Sequence, residues 1–151
     1  MHQEGLTANG QKSDAVTCRG LFLLAFGSPP ARIEHVWNQD LASFFPLKVN
    51  DKISADATPK IADVSLGPGY YAVGYFIDMS VMGIESVRIG ECDYPVFKID
   101  LHWRRGGGPG AATYYYHQAS MLTLRIVTMA PATAIAPARL VDRRAVKLEL
   151  R

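Results

Sequence analysis

The chain has 151 residues, of which 48% are hydrophobic and 20% charged, with a formal net charge of +2. That length suits one domain with its own core and is short for two domains of about 100–150 residues each. Disorder needs low hydrophobicity with high net charge, collagen needs a glycine period, and a coiled coil needs sustained heptads; none of these patterns is in the sequence.

Residues 1–19 are polar, with Glu4, Lys12, Asp14 and Arg19 spread among small side chains, which predicts an N-terminal arm ahead of a single domain at 20–151. An apolar run from Leu21 to Phe26 follows and predicts a strand over Gly20 to Phe26. It is far short of the roughly 20 residues of a membrane span, and the acidic residues before it suit no secretory signal. The expectation is a protein made in a cytoplasm, with no membrane as partner.

After Gly27-Ser28-Pro29-Pro30, the apolar residues Ile33, Val36, Trp37, Leu41 and Phe44 recur three and four positions apart, which predicts a turn or two of helix within Arg32 to Phe45. Short strands are predicted over Leu47 to Ile53 and Lys60 to Leu66. From Gly69 to Met79 the period is two: Tyr71, Val73, Tyr75, Ile77 and Met79 share one face, opposite Ala72, Gly74, Phe76 and Asp78. Ser86 to Ile89 is a further short strand. The clearest alternation is Phe97, Ile99, Leu101 and Trp103 against Lys98, Asp100, His102 and Arg104.

The glycine run at 106–110 lacks the Gly-Lys-Ser/Thr of a phosphate loop and reads as a hairpin connection. Thr113 to His117 and Met121 to Met129 are strand-like, as is the C-terminal Val146, Leu148, Leu150 alternation beyond the Pro131 to Pro137 segment. Eight or nine short strands separated by turn signals predict an all-β fold: an antiparallel β-sandwich or jelly roll of about eight strands, with an irregular N-terminal segment.

Motifs of catalysis are not in evidence. His2, His35, His102 and His117 are scattered without metal-ligand spacing, and no nucleophile elbow occurs, so we expect no metal, no cofactor and no catalytic residue. Cys18 and Cys92 read as two free, buried thiols. Charge is uneven, with a net of −4 over residues 1–100 and +6 over 101–151. With one Lys in the first twelve residues, this predicts acidic and basic strands that pair across a sheet or between subunits, and no nucleic-acid partner.

Several strands are apolar or aromatic at successive positions, which predicts outer faces that meet another macromolecule. Aromatics and Arg dominate binding hot spots, so Tyr114, Tyr115, Tyr116, His117, Arg104 and Arg105 are the expected interface residues. The segment from Ile53 through Asp56, Ala57, Thr58, Pro59 and Lys60 to Gly67, followed by Gly69 and a Tyr/Val strand, resembles the opening of small jelly-roll cement proteins that decorate tailed-phage heads. The resemblance spans about one-sixth of the chain. It implies a virion structural protein: a homotrimer seated on the major capsid protein or another virion protein, with no catalytic or cofactor residues. The alternative is a carbohydrate-binding, lectin-like β-sandwich that uses the same aromatics beside Glu91 or Asp93.

Overall fold

A computed structural model describes residues 2–6, 12–27, 32–61, 74–105, 108–130 and 138–145. The protein is all-β. Among the described residues its strands are β1 (His2–Leu6), β2 (Lys12–Cys18), β3 (Phe22–Phe26), β4 (Ile33–Trp37), β5 (Lys52–Ile61), β6 (Tyr75–Ile89), β7 (Cys92–Arg105), β8 (Gly108–His117), β9 (Leu122–Ala130) and β10 (Arg139–Arg144). They form one 10-stranded antiparallel sheet in sequential order, each strand bonded to the next. Among the described residues the only helix is a 3-10 turn at Leu41–Phe44, opened by the Asp40 side chain, which accepts from the Ala42 N–H at 3.0 Å.

This order corrects the jelly-roll expectation. A jelly roll crosses strands between two sheets in Greek keys, whereas here every connection joins neighbours. The N-terminal arm is replaced as well: β1 and β2 are the first two strands of the sheet, and Thr17 is buried. The helical spacing around Trp37 resolves into β4 plus the 3-10 turn, because Ile33 to Trp37 are paired residue by residue with β5. Residues 47–51 form a loop, and the predicted strand begins instead at Lys52. The C-terminal alternation at 146–150, the start of the 69–79 strand and the end of the 60–66 strand lie outside the described residues.

Period-two alternation supplies the main core. Ile53, Ala55, Ile77, Met79, Val81, Ile99, Leu101 and Tyr116 are buried on one face of β5 to β8, with Phe22 from β3. The sheet curls round this face. The β2–β3 turn reaches the β8–β9 turn, where Thr123 Oγ1 donates to the Gly20 carbonyl at 3.1 Å, and Leu47 N–H donates to Gln118 Oε1 at 2.7 Å. Within the concavity Phe22 meets Trp37 edge-on at 5.4 Å between centroids, stacks on Phe44 at 5.7 Å and meets Phe45 edge-on at 6.0 Å. The loop carrying Leu41, Phe44, Phe45 and Leu47 thus fills part of the curl.

A bulge in β6 divides the apolar residues between two faces. Val81 pairs with Ile99 but Gly83 pairs with Lys98, so Met82 is an extra residue. Inserting one residue reverses which parity faces inward. Beyond it, Val87 and Ile89 turn to the convex face and join Val96, Tyr115 and Leu124 in a second buried cluster. The matching bulge in β9 lies opposite Tyr115 and Tyr116 and leaves Leu124 as the additional residue.

Candidate functional site

The concave face holds a cavity of about 280 Å3. Trp37 from β4, Tyr75 from β6, Trp103 from β7 and Tyr114 from β8 all line it, over a floor that includes Phe22 and Leu101. The register explains the convergence: Trp37 pairs with Ala57 and Ala57 with Tyr75, while Trp103 pairs with Gly110. Small residues thus alternate with large ones across neighbouring strands, which leaves room for the rings to lean over the sheet. All four aromatics are only partly buried.

Trp37 and Tyr75 are held from a second direction. The Trp37 indole Nε1–H donates to the Leu23 carbonyl at 3.0 Å, and its ring meets Tyr75 edge-on at 5.7 Å. The imidazole of His35 lies 5.1 Å from the Tyr75 ring. Burial raises the Tyr114 phenol above its ordinary pKa, an effect that the positive charge of Arg143 partly offsets. The cavity therefore combines aromatic faces with phenol and indole groups that can hydrogen-bond, and among the described residues no carboxylate lines it. Among the described residues no group of three or more His, Cys, Asp or Glu is placed to hold a metal, and no helix is long and apolar enough to cross a membrane.

The expected interface residues separate between two faces, because successive residues of a strand point in opposite directions. Tyr116 is fully buried in the concave core, and Tyr114 packs against that core. Tyr115 is buried on the convex side under Arg125, whose guanidinium lies 4.7 Å from the ring centroid. His117 is half-buried, with Nδ1 at 2.7 Å from Ser120 Oγ and its ring beside Tyr94. Arg104 is exposed on the convex face, over the Phe76 ring at 5.5 Å. Arg105 ends β7, and its side chain lies outside the described residues.

Sequence reasoning thus missed Trp37, Tyr75 and Trp103 as site residues. A signal was present: Tyr75 and Trp103 share the inward parity of their strands, as does Tyr114. Their gathering on one cavity depends on the curl, which no local pattern encodes. Glu91 and Asp93 are exposed at the β6–β7 turn and do not line the cavity. Both thiols are free, but Cys92 is exposed at that same turn and Cys18 only half-buried, which corrects the expectation of two buried thiols.

No family model and no curated protein matches the chain. Among solved structures, it is similar to the hypothetical lipoprotein YmcC from Escherichia coli (K12), with 11% sequence identity and a TM-score of 0.49, over 95% of this chain and 74% of that one.

Proposed function

We propose that this protein binds a carbohydrate in the aromatic cavity of its concave face and holds it without a covalent step. The observation that carries this reading is the convergence of Trp37, Tyr75, Trp103 and Tyr114 from four strands on one cavity of about 280 Å3. A sugar ring has an apolar C–H face and a hydroxyl rim, and Trp and Tyr match both, offering a flat apolar body with a polar tip at little entropic cost. The volume lies near the lower end of the roughly 300–1,000 Å3 usual for small-molecule sites, which suits one end of a glycan.

The deciding experiment is a glycan array followed by titration of intrinsic fluorescence, since Trp37 and Trp103 both line the cavity. Bound glycans should shift the emission, and Trp103→Ala should lose that binding while keeping a β-sheet circular dichroism spectrum. Array binding that survives Trp103→Ala unchanged would place the ligand elsewhere and defeat the reading.

A second reading is favoured by the β9–β10 edge. Met129 and Leu140 are cross-strand partners, and they are 60% and 65% exposed. An exposed apolar pair beside an edge strand is a surface that a partner can cover. This supports the assembly role, in which a virion decoration subunit oligomerises and sits on a capsid protein. Its segment of resemblance falls on β5 up to Ile61, and the remainder lies outside the described residues. Light scattering tests it: a species near three times 16.6 kDa supports assembly, and a monomer at all concentrations speaks against it.

A further inference from the structure

Most of the carboxylates of β5 to β10 gather on the convex face of the sheet. Asp56, Asp78, Glu85, Asp100 and Asp142 all stand at convex register positions: Asp56 pairs with Phe76, Asp78 with His102, Glu85 with Val96, Asp100 with Thr113, and Asp142 with Val127. There the carboxylates are satisfied. Thr113 Oγ1 donates to Asp100 at 2.9 Å, Lys98 Nζ to Glu85 at 3.0 Å, and Arg125 and Arg144 both bond to Asp142.

The concave face has the opposite character. One rung of the sheet runs Val81, Ile99, Tyr114, Ile126, Arg143, each residue paired with the next. Tyr114 and Ile126 line the cavity. Arg143 therefore stands at the cavity's edge, one strand beyond Ile126. Arg139 shares its parity on β10, two positions from Val141. Both arginines are exposed, and among the described residues neither forms a salt bridge, whereas Arg125 and Arg144 of the convex face both do. Among the described residues of β5 to β10 the one carboxylate at a concave register position is Asp93, opposite Arg88 at the far end of β6 and β7, so beside Tyr114 and Ile126 the charge on this face is that of Arg143 and Arg139.

From this arrangement we infer that the ligand of the concave cavity is an acidic saccharide, with a ring seated among Trp103 and Tyr114 and a carboxylate received by Arg143. Arg suits the role because its planar fork matches a carboxylate with two parallel hydrogen bonds, and its charge persists at every physiological pH. The inference rests on the carbohydrate reading and narrows it to one chemical class.

The test presents the full chain with an array of uronate-containing, sialylated and neutral oligosaccharides, and repeats it with Arg143→Gln and Trp103→Ala. Binding should concentrate on the carboxylated glycans and fall as salt rises. Arg143→Gln should weaken it at least about tenfold, while Trp103→Ala removes it. Equal binding of neutral glycans, or unchanged affinity of folded Arg143→Gln, overturns the assignment of charge and leaves the sugar site standing. If no glycan of any class binds, both this inference and the carbohydrate reading fail.

Discussion

The indole of Trp103 lies directly over Gly110, its partner on the neighbouring strand. A Cβ at position 110 would sit 2.3 Å from Cε2 and Cζ2 of that ring and 2.6 Å from Nε1. The last glycine of the 106–110 run therefore serves packing as much as turning: its missing side chain is the space the indole occupies.

Gly110→Ala should force the Trp103 ring off the sheet and into the cavity. Overpacking of this kind typically costs about 1–3 kcal/mol, and here the displaced group also belongs to the ligand site. We expect a shifted tryptophan emission, a lower urea midpoint and weakened glycan binding together. A variant that keeps the wild-type emission and binding would show that the indole has another place to go.

Gly20 and Gly90 form an internal comparison. Both have positive φ, +73° and +60°, but a Cβ at Gly20 would lie 2.1 Å from the Met121 carbonyl oxygen, whereas nothing lies within 4 Å of one at Gly90. Gly90→Ala should cost only the left-handed backbone penalty, about 1–2 kcal/mol. Gly20→Ala adds a backbone clash where the β2–β3 turn meets the β8–β9 turn, so its loss should be clearly larger. Chemical denaturation of the two variants side by side measures the difference.

Tyr116 is wholly buried, and among the described residues its hydroxyl has no hydrogen-bond partner. Burial pushes its pKa up to about 12, with Arg19 pulling it back and Cys18 adding to the rise. The phenol is thus held neutral in the folded state. Its contribution is fully present below the unfolded value near 10 and is lost as pH rises through about 12. Tyr116→Phe removes an unsatisfied polar atom and should be neutral or stabilising at pH 7, with a shallower alkaline loss of stability between pH 10 and 12. Tyr116→Ala, which empties the site, should cost about 3–5 kcal/mol. A Phe variant as unstable as the Ala variant would mean that the hydroxyl is bonded after all.

Asp142 gives the opposite pH signature. Hydrogen bonds from Arg125 and then Arg144 hold its carboxyl down to about 2, below its ordinary 3.8. A depressed carboxylate contributes above its unfolded pKa and loses that contribution as pH falls through the folded value. The β9–β10 edge should therefore loosen between about pH 4 and 2, seen as faster amide exchange in β10. Asp142→Asn should flatten this dependence, its cost in stability shrinking as pH falls toward 2. Exchange that accelerates equally in the variant would assign the acid response to another group.

Ion pairs among the described residues form within the acidic and the basic parts of the chain and not between them. The basic C-terminal third supplies Arg125 and Arg144 to a carboxylate on the convex face and Arg139 and Arg143 to the concave one. Lys98 pairs with Glu85 across β6 and β7, both within residues 1–100, so the expected pairing of acidic with basic strands is not what this ion pair shows.

The all-β class was legible in the sequence, because alternation from Phe97 to Arg104 and from Tyr75 to Met79 is a local property of the chain: each side chain's face depends only on its parity. The same rule explains the fate of Tyr114, Tyr115 and Tyr116, which could not all serve one surface. Parity breaks at a bulge, and the extra residue Met82 announces itself by no composition or spacing, so the second cluster around Val87, Val96 and Tyr115 emerged only in three dimensions. The aromatic cavity depended further on curvature. Trp37 and Trp103 are 66 positions apart, and what brings them to one cavity is the docking of the Gly20 turn on the Met121 turn. Alternation is written residue by residue, but closure of a sheet is a cooperative result of twist, bulges and long-range contacts, and its energy belongs to no single segment.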